Sequence, residues 1–506
     1  MIGSQTQGSS FLATLGWMLE SRWDSSGTSD DELETKMKLF RSQTNPRRSG
    51  LKPALLALCL WLGVAWCPAI DVPQFQPGER WCVLGDSITH SGSYHKYVEL
   101  YYFTRFPTQP LDLINCGIAG DTAPGAVRRL QWDCLDAKPT VVSVMLGMND
   151  VGRSLYNARG TTNSNSAKLR ADHAQTYEQA MRKLTKSLLD SGAKVILIKP
   201  SIFDDTVDFP KANSLGCGAA LAGFANRVQA IADEFKVPTV DFNTPLAAIN
   251  AAQQKLNPHF TIVGPDRVHP MSPGHLVLAY EFLRAQKVPA VVSQIVIDAA
   301  ANKVGQLENC AVTNLTAATN LVGFTCLEAA LPFPVETSAV SALGYVPFTR
   351  DLNQENLLVR GLAAGNYELS IDGNVIRSFT AAELADGVNL AGETNAPQLQ
   401  QSFHVLAVLR QKWDAVAKLR TIAYVEHGAW PDAKRPVDVA QMSAKVKERL
   451  AKGGSKNPWV VSQEKQYLEI KPHESELRAE VAAAVAEARR LNQPKPHRFE
   501  IKPDSN

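Results

Sequence analysis

Between residues 78 and 287, short apolar segments alternate with longer segments of helical periodicity, and this rhythm constrains the fold more than any other feature of the chain. The short segments are rich in β-branched or aromatic residues, which is typical of buried strands. A repeated strand–helix rhythm predicts a parallel sheet with helices on both faces and right-handed crossovers. Strands are predicted at 80–85, 111–116, 140–146, 194–199 and 238–242, and helices at Tyr94–Phe106, Pro124–Cys134, Leu169–Leu189 and Ala219–Phe235.

The first three predicted strands end in polar or glycine-rich sequence, at Asp86, Gly117 and Gly147. The carboxyl ends of parallel strands lie at one edge of a sheet, where α/β proteins usually bind ligands. These three strand ends are therefore expected to converge on one site. The stretch 151–168, rich in Gly, Asn, Ser and Thr, is predicted to be a surface loop that leaves this site and contributes to substrate choice.

Four short sequence blocks follow these strand ends or precede a predicted helix. The first is Gly85-Asp86-Ser87, and it makes Ser87 the leading candidate nucleophile, because a serine at the end of a buried strand presents its hydroxyl at the sheet edge. Taken singly, each block also fits a strand-to-turn junction, an Asx turn or a capped loop. Their order along the chain favours a hydrolase site. The other three blocks are Asn115–Thr122, Gly147–Asp150 and Asp266–Pro270.

Together, the four blocks resemble the SGNH (GDSL) hydrolase family over this part of the chain. The resemblance implies a flavodoxin-like, three-layer α/β/α sandwich with a central parallel sheet. It assigns the nucleophile to Ser87, the general base to His269 and the orienting carboxylate to Asp266. It also assigns the oxyanion hole to the backbone N–H groups of Ser87 and Gly120 and to the side-chain amide of Asn149.

Ester hydrolysis requires these residue types. A serine hydroxyl is a poor nucleophile, so a neutral imidazole must accept its proton and a carboxylate must hold that imidazole in the right tautomer. His269 and Asp266 are three residues apart, close enough to be placed by one turn of chain. The negative oxygen of a tetrahedral intermediate needs donors that already point at it. Activity is expected to fall on the acid side, near the ordinary histidine pKa of about 6.5.

Neighbouring polar residues are given structural roles. His275 is predicted to pack or to form a local hydrogen bond, while the sequence leaves open whether His90 and His95 line the mouth of the pocket or lie at the surface. Roles in bracing turns are predicted for Asp86, Asp121 and Asp150.

The composition is that of a globular protein, with 45% hydrophobic and 20% charged residues, and 506 residues are enough for two or more domains. The formal net charge of +2 gives no reason to expect nucleic acid or an anionic membrane surface as a partner. The sequence contains no G-x-S-x-G, G-x-x-x-x-G-K-[ST], H-E-x-x-H or C-x-x-C motif. We therefore expect no cofactor and no metal, and an enzyme outside the G-x-S-x-G esterase branch.

Residues 1–70 are interpreted as a disordered leader and a secretory signal segment at about 37–69. Basic residues precede an apolar run from Ala54 to Trp66, and cleavage is predicted after Ala69. The run is short for a membrane span, so no stable span is expected after cleavage, with an uncleaved anchor as the alternative. Export to the periplasm or the extracellular space is expected, and the start of translation, Met1 or Met37, stays open.

The alternation of strand and helix patterns does not continue through the rest of the chain, and this change suggests the domain boundaries. We predict an SGNH hydrolase domain at 71–290, a small mixed α/β accessory module at 291–430 and a helical C-terminal extension at 431–506. Further elements are predicted as a β-hairpin around the Asp-Gly turn of 354–378, long helices at Pro397–His427 and Glu474–Leu491, and a frayed end from Asn492.

Cleavage after Ala69 would leave six cysteines, which are too few for a disulfide scaffold in a chain of this length. Cys82 and Cys116 are predicted to fill space in core strands as thiols. Cys310 and Cys326 bracket a short segment interpreted as loop-rich, and they are the first pair to test for a disulfide.

These features predict an exported serine esterase that works through an acyl-enzyme intermediate. Export, and the lack of an obvious apolar lid helix, favour O-acetyl groups on a polysaccharide or sugar, so the expected partner is a small-molecule or polysaccharide ester substrate. The alternatives are a lysophospholipase or lipase-like acylhydrolase, and a non-catalytic surface-binding protein on the same scaffold.

Overall fold

The computed structural model describes residues 70–210, 213–429 and 437–504. The predicted leader and signal segment, up to residue 69, lie outside the described residues. The described residues form one compact unit. No helix among the described residues is long and apolar enough to cross a bilayer.

The amino-terminal half of this unit is built on a five-stranded parallel sheet with the strand order β2-β1-β3-β4-β5. The strands are β1 (Arg80–Gly85), β2 (Asp112–Gly117), β3 (Val141–Met145), β4 (Lys194–Lys199) and β5 (Thr239–Asp241). The helices are α1 (Ser87–His90), α2 (Tyr94–Arg105), α3 (Ala123–Asp133), α4 (Ala158–Thr162), α5 (Ser166–Asp190), α6 (Cys217–Phe235), α7 (Asn243–Gln253) and α8 (Ser272–Ala285).

Helix α2 packs with α8, whereas α5 packs with α3 and α6, so that the parallel sheet lies between helical layers. The strands are buried on both faces, as their near-continuous apolar sequences require. The predicted three-layer α/β/α sandwich is therefore confirmed.

The register of the sheet brings the first three strand ends together. Gly85, the last residue of β1, pairs with Gly117 at the end of β2 and with Met145 at the end of β3. Gly117 is required here because α1 packs closely against the end of β2. A Cβ atom at Gly117 would lie 2.3 Å from the backbone nitrogen of His90.

Two further sheets follow in the chain, with the orders β13-β10-β6-β7 and β12-β11-β14-β9-β8. Their strands are β6 (Val291–Asp298), β7 (Lys303–Glu308), β8 (Cys310–Ala318), β9 (Leu321–Glu328), β10 (Gln354–Arg360), β11 (Asn366–Ile371), β12 (Asn374–Thr380), β13 (Val388–Asn389) and β14 (Pro496–Pro503). The helices are α9 (Phe348–Leu352), α10 (Ala381–Asp386), α11 (Pro397–Ala429), α12 (Val439–Ala451), α13 (Pro458–Ile470) and α14 (Glu474–Leu491). Short 3-10 helices lie at Leu135–Ala137, Arg153–Tyr156, Thr337–Gly344 and Lys471–His473.

The predicted hairpin is confirmed for β11 and β12, which pair antiparallel around Asp372-Gly373. Strand β10 belongs to the other sheet, where it runs parallel to β6. The alternation of apolar and polar residues in β10 indicates a half-buried strand, but it does not specify which strand pairs with it. The segment between Cys310 and Cys326 is likewise a pair of strands and not loop-rich.

The six described cysteines, Cys310 and Cys326 included, are free thiols. Cys82 and Cys116 are buried in β1 and β2, as predicted for space-filling core residues.

The long helix α11 joins the two halves of the unit. Val405, Leu406 and Leu409 lie in the same apolar core as the central sheet. Trp413 Nε1 donates to Glu99 Oε2 of α2 at 2.7 Å, and Lys412 forms a buried ion pair with the same carboxylate. The predicted helix is confirmed, and it packs directly on the hydrolase half.

The carboxyl end of the described chain is a strand, so the predicted frayed end is wrong through residue 504. Strand β14 lies between β9 and β11. Phe499 and Ile501 alternate with polar residues, and both are buried, which places them in the core of the accessory sheets. The predicted helical extension at 431–506 thus ends in a strand that completes a sheet of the module predicted at 291–430.

Candidate active site

Ser87 is the first residue of α1 and follows β1 directly. Asp86 caps this helix, because its Oδ1 accepts from the Ile88 N–H at 3.0 Å. Burial raises the pKa of Asp86 to about 6. The N–H of the first residue of a helix has no acceptor within that helix, so the Ser87 N–H is placed to serve a ligand. Asp86 braces this turn, in agreement with its predicted role.

His269 brings the distant fourth block to this serine. Its Nε2 lies 2.7 Å from Ser87 Oγ, and its Nδ1 is hydrogen-bonded to Asp266 Oδ2. The other carboxylate oxygen of Asp266 accepts from the N–H groups of Val268 and His269, both at 3.0 Å. Partial burial opposes ionisation of Asp266, but these hydrogen bonds outweigh it and hold its pKa well below the ordinary value.

The loop that carries Asp266 and His269 is held in place by Arg267, which lies between them in the sequence. Arg267 adopts a left-handed φ of 67° and is buried. Its guanidinium donates to the backbone oxygens of Asp204 and Val207, both at 3.0 Å. Because the arginine side chain points into the protein, Asp266 and His269 are turned towards the sheet edge.

Gly120 and Asn149 line the same cavity as Ser87 and His269. Asn149 Nδ2 donates to the backbone oxygen of Asp121 at 2.9 Å. An amide nitrogen carries two hydrogens, so this bond orients the group and leaves the second hydrogen for a ligand. Gly120 has a φ of 75°, which favours glycine, and a Cβ added there would meet nothing within 4 Å.

A buried arginine, Arg129, holds the ends of β1 and β2 through hydrogen bonds to their backbone oxygens. Arg129 on α3 donates to the backbone oxygens of Gly85 at 3.0 Å and of Cys116 at 2.7 Å. Its Nε donates to Asp121 Oδ2 at 2.7 Å, and it forms a further ion pair with Asp133. Arg129 therefore ties the nucleophile strand to the block that contains Gly120.

Helix α11 also holds the region around the second block, through Arg420 and His427. Arg420 Nε donates to the Gly117 oxygen at 3.1 Å, and its two terminal nitrogens donate to the Asp133 carboxylate at 2.7 and 2.9 Å. Burial would raise the pKa of Asp133, but Arg420 and Arg129 lower it to about 2. His427 Nε2 lies 3.6 Å from Asp121 Oδ1. The second block is thus held by a helix that lies far away in sequence.

The cavity at these residues has a volume of about 560 Å³. One side of its wall comes from the carboxyl-terminal part of the chain, which sequence reasoning did not connect with the site. These lining residues are Tyr424, Asn457, Trp459 and Val460. The Gly453-Gly454 and Asn457-Pro458 signals indicate the start of a helix, but no local pattern shows that this helix faces the catalytic edge.

Three other histidines lie close to Ser87. His275 lines the cavity and is buried against Tyr94, whose ring is stacked at 6.3 Å. His90 and His95 are buried, so neither lies at the surface. Burial lowers the pKa of His90 to about 4 and the pKa of both His95 and His275 to about 3. These three imidazoles are neutral near pH 7 and have packing roles.

The stretch 151–168 is more ordered than the predicted surface loop. It contains the 3-10 helix Arg153–Tyr156 and α4, and α5 begins at Ser166. Asn157 caps α4 by accepting from the Gly160 N–H at 2.8 Å. Asn, Ser and Thr indicate helix caps here as well as loops. Arg153 reaches the cavity wall.

Among the described residues, one group of three potential metal ligands comes together. The thiols of Cys82, Cys116 and Cys134 lie within 4.8 Å of one another and are fully buried in the core. The cavity that contains Ser87 is lined by other side chains. Its chemistry is therefore that of a serine, a histidine and hydrogen-bond donors.

Comparison with known proteins identifies the class. Residues 83–277 match the GDSL-like Lipase/Acylhydrolase family. This match, together with four blocks converging on one cavity of an α/β/α sandwich, supports an SGNH (GDSL) type of hydrolase domain, and the protein is a carboxylic ester hydrolase.

Among individual proteins, the chain is similar to an acetylxylan esterase from Geobacillus stearothermophilus, with 28% identity over 222 residues, 41% of this chain and 93% of that protein. A solved structure of a gut microbial diltiazem-metabolizing enzyme matches with a TM-score of 0.79 and 28% identity, over 86% of this chain and 100% of that one. This match extends beyond the hydrolase domain into the carboxyl-terminal elements. A crystal structure of an acetylxylan esterase from G. stearothermophilus matches 44% of this chain and 98% of its own, with 27% identity and a TM-score of 0.35.

Proposed function

We propose that this protein is an exported serine esterase that removes O-acetyl groups from a carbohydrate through an acyl-enzyme intermediate. The observation that carries the esterase chemistry is the 2.7 Å contact between His269 Nε2 and Ser87 Oγ, with Asp266 on the far side of the imidazole. A serine that touches a histidine oriented by a carboxylate is the arrangement that activates a hydroxyl.

In the acylation step, Ser87 Oγ attacks the ester carbonyl carbon while His269 Nε2 takes the hydroxyl proton. The Asp266 carboxylate stabilises the imidazolium that forms. The carbonyl oxygen becomes negative and accepts from the N–H groups of Ser87 and Gly120 and from the Asn149 amide. The intermediate then collapses, the bond from the carbonyl carbon to the alcohol oxygen breaks, and the imidazolium gives its proton to the departing alcohol.

Deacylation uses the same groups in reverse. A water molecule takes the place of the alcohol, His269 accepts one of its protons, and the resulting oxygen attacks the acyl carbon. The bond to Ser87 Oγ breaks, and the proton returns to the serine. The products are a free carboxylic acid and the unmodified enzyme, with no cofactor consumed.

The acetylated carbohydrate is supported by the similarity to an acetylxylan esterase, which covers nearly all of that enzyme. Export is supported by the basic and apolar segment at 37–69 of the sequence. Both are parts of the proposal, and they need separate tests. Mass analysis of the amino terminus of protein recovered from culture medium or periplasm, expected at Ile70, tests cleavage and export.

The esterase proposal is tested by hydrolysis of p-nitrophenyl esters from acetate to palmitate. The purified protein should turn over the acetate ester fastest, and Ser87→Ala should abolish turnover. Ser154→Ala is a matched control, because Ser154 is exposed on the neighbouring 3-10 helix and does not line the cavity.

Activity that persists in Ser87→Ala contradicts the assignment of the nucleophile. A rate that rises with the length of the acyl chain would indicate a lipid substrate in place of an acetyl ester. Absence of turnover, together with no labelling of Ser87 by a serine-reactive fluorophosphonate, would favour a non-catalytic scaffold.

A further inference from the structure

Two aromatic side chains from the carboxyl-terminal helices form one wall of the active-site cavity. Tyr424 lies near the end of α11, and Trp459 is the second residue of α13. Both line the cavity that contains Ser87 and His269. Their ring centroids are 4.9 Å apart, with an angle of 66° between the planes. The two rings, called the aromatic corner below, are the only aromatic carbocycles in the lining among the described residues.

The position of Trp459 is set by the helices that carry it. Asn457 caps α13 by accepting from the Trp459 N–H at 3.0 Å, and Pro458 starts the helix. Helix α13 is docked on α11, because Thr421 Oγ1 donates to Gln463 Oε1 at 2.9 Å and Tyr467 packs in a small apolar core between the helices. The indole is therefore held at the wall by the fold around it.

Tyr424 is anchored to the catalytic edge of the sheet. Its ring contacts the imidazole of His90 edge-on, with centroids 6.2 Å apart. His90 Nδ1 lies 3.2 Å from the backbone oxygen of Gly117 at the end of β2. Burial lowers the pKa of His90 to about 4, so this imidazole is neutral near pH 7. This contact fixes the distance from the aromatic corner to the second block.

Trp459 keeps 42% of its surface exposed, although it is a large apolar residue. Exposed tryptophan rings at the rim of a cavity are typical of binding surfaces, because a ligand that covers the ring removes apolar area from water. An acetyl group fills only a small part of about 560 Å³. The remaining space, with the aromatic corner, is left for the alcohol part of the ester.

We propose that Trp459 and Tyr424 form the subsite for the alcohol part of the substrate, and that they select an alcohol with a flat ring face, such as an acetylated pyranose. The inference rests on the proposed esterase function. A pyranose presents one face of C–H groups, which can pack on an indole, and hydroxyl groups at its edge. Asn457 lines the same wall, and its side-chain amide can pair with those hydroxyls.

The test compares two acetate esters that differ in their alcohol. Methyl tri-O-acetyl-β-xylopyranoside has a ring, whereas glycerol triacetate has none. For Trp459→Ala, the ratio of kcat/KM for the pyranoside to kcat/KM for glycerol triacetate should fall about tenfold, mainly through KM of the pyranoside. Trp459→Phe should restore most of the ratio, because phenylalanine keeps a ring face.

Val439→Ala is the matched control. Val439 is also an exposed apolar residue in the first turn of a carboxyl-terminal helix, but it lies outside the cavity lining, so the ratio should not change. Equal losses with both esters in Trp459→Ala would overturn the subsite, and so would a change in acyl-chain preference at a constant ratio. Thermal unfolding of each variant shows whether the fold is intact.

A binding measurement separates this inference from the proposed function. In the Ser87→Ala background, calorimetry with the acetylated pyranoside should show binding that weakens about tenfold when Trp459→Ala is added. If the unmodified protein hydrolyses neither ester but this difference is found, the subsite stands and the esterase function fails. If hydrolysis occurs but Trp459→Ala changes neither binding nor the ratio, the esterase function stands and the subsite is wrong.

Discussion

Asp266 is a carboxylate whose surroundings favour its charged form. It accepts two backbone N–H groups as well as the Nδ1 side of His269. We predict that Asp266→Asn lowers kcat by about 10³- to 10⁴-fold with little change in KM, because an amide cannot hold the imidazole in the tautomer that accepts a proton or stabilise its charge. Stopped-flow hydrolysis of p-nitrophenyl acetate measures this effect.

The control for Asp266→Asn is a second aspartate that lies near a histidine. Asp208 lies 3.9 Å from His259, and both side chains are mostly exposed. Asp208→Asn should leave kcat within about twofold, since exposed pairs contribute little. Similar losses in Asp208→Asn and Asp266→Asn would remove Asp266 from its assigned role.

Asn149 is expected to act only while the carbonyl oxygen is negative. Asn149→Ala should lower kcat by about 10²- to 10³-fold and leave KM nearly unchanged, because the donor contributes in the transition state more than in the bound substrate. Steady-state kinetics over a range of acetate ester concentrations separates the two constants. A loss confined to KM would show that Asn149 binds the ground state.

Asp150, beside Asn149, should make folding stability depend on pH. Burial raises its pKa to about 7 from the ordinary value of 3.8, and one of its oxygens accepts from the Ala123 N–H at 2.7 Å. A carboxyl group with a raised pKa in the folded state stabilises the fold below about pH 4, and this contribution is lost as the pH rises through 7. Asp150→Asn keeps the acceptor and removes the ionisation.

The free energy of unfolding of Asp150→Asn, relative to the original protein, should therefore rise between pH 4 and 8 by up to about 4 kcal/mol. Urea unfolding at several pH values measures the difference. Parallel curves for the two proteins over this range would contradict the prediction.

At the scale of elements, α11 links the accessory part of the chain to the oxyanion block. Arg420 is buried and bonds both Gly117 and Asp133, whereas Arg410 on the same helix forms an ion pair with Glu336 while its own side chain is 56% exposed. We predict that Arg420→Met lowers the free energy of unfolding by about 3–5 kcal/mol and also lowers kcat, because a buried carboxylate loses a partner and the second block loosens.

Arg410→Met is the matched control on the same helix. It should cost less than about 1 kcal/mol and leave kcat unchanged, because the Arg410 guanidinium is largely exposed and Glu336 keeps its hydrogen bond from the Tyr97 hydroxyl. Thermal and urea unfolding compare the two variants. Equal destabilisation by both would contradict the role assigned to Arg420.

At the scale of the whole molecule, β14 completes a sheet whose other strands lie more than a hundred residues earlier in the chain. It pairs on both sides, and the rings of Phe499 and Phe324 stack at 4.9 Å. Removal of residues 496–504 should expose the core between the accessory sheets, lower the melting temperature and increase binding of an apolar dye. Lys502→Ala, an exposed change in the same strand, should leave both measurements unchanged. An unaltered melting temperature after the deletion would contradict this view of β14.

Many of the individual strands and helices were predictable because their signals are local. The strand at 80–85 and the helix at Glu474–Leu491 begin and end where their apolar periodicity and flanking polar residues indicate. Ser87, His269 and Asp266 were assigned from the family resemblance, and the chemistry agrees with these residue types next to a strand end or within one turn of each other. The frayed end from Asn492 was a wrong prediction, because the burial of Phe499 depends on strands far away in the sequence.

The sequence by itself predicted the α/β/α sandwich and the four blocks that carry the five residues assigned to the proposed reaction, since each strand and each block is encoded in a few neighbouring positions. Only the tertiary structure decided that Arg420 supports the Gly117 strand end and that Trp459 and Tyr424 line the cavity. These contacts join segments some three hundred residues apart, and they exist because α11 packs its apolar residues into the hydrolase core. Local periodicity specifies which face of a helix is apolar, but the surface that covers this face is chosen by the packing of the whole chain.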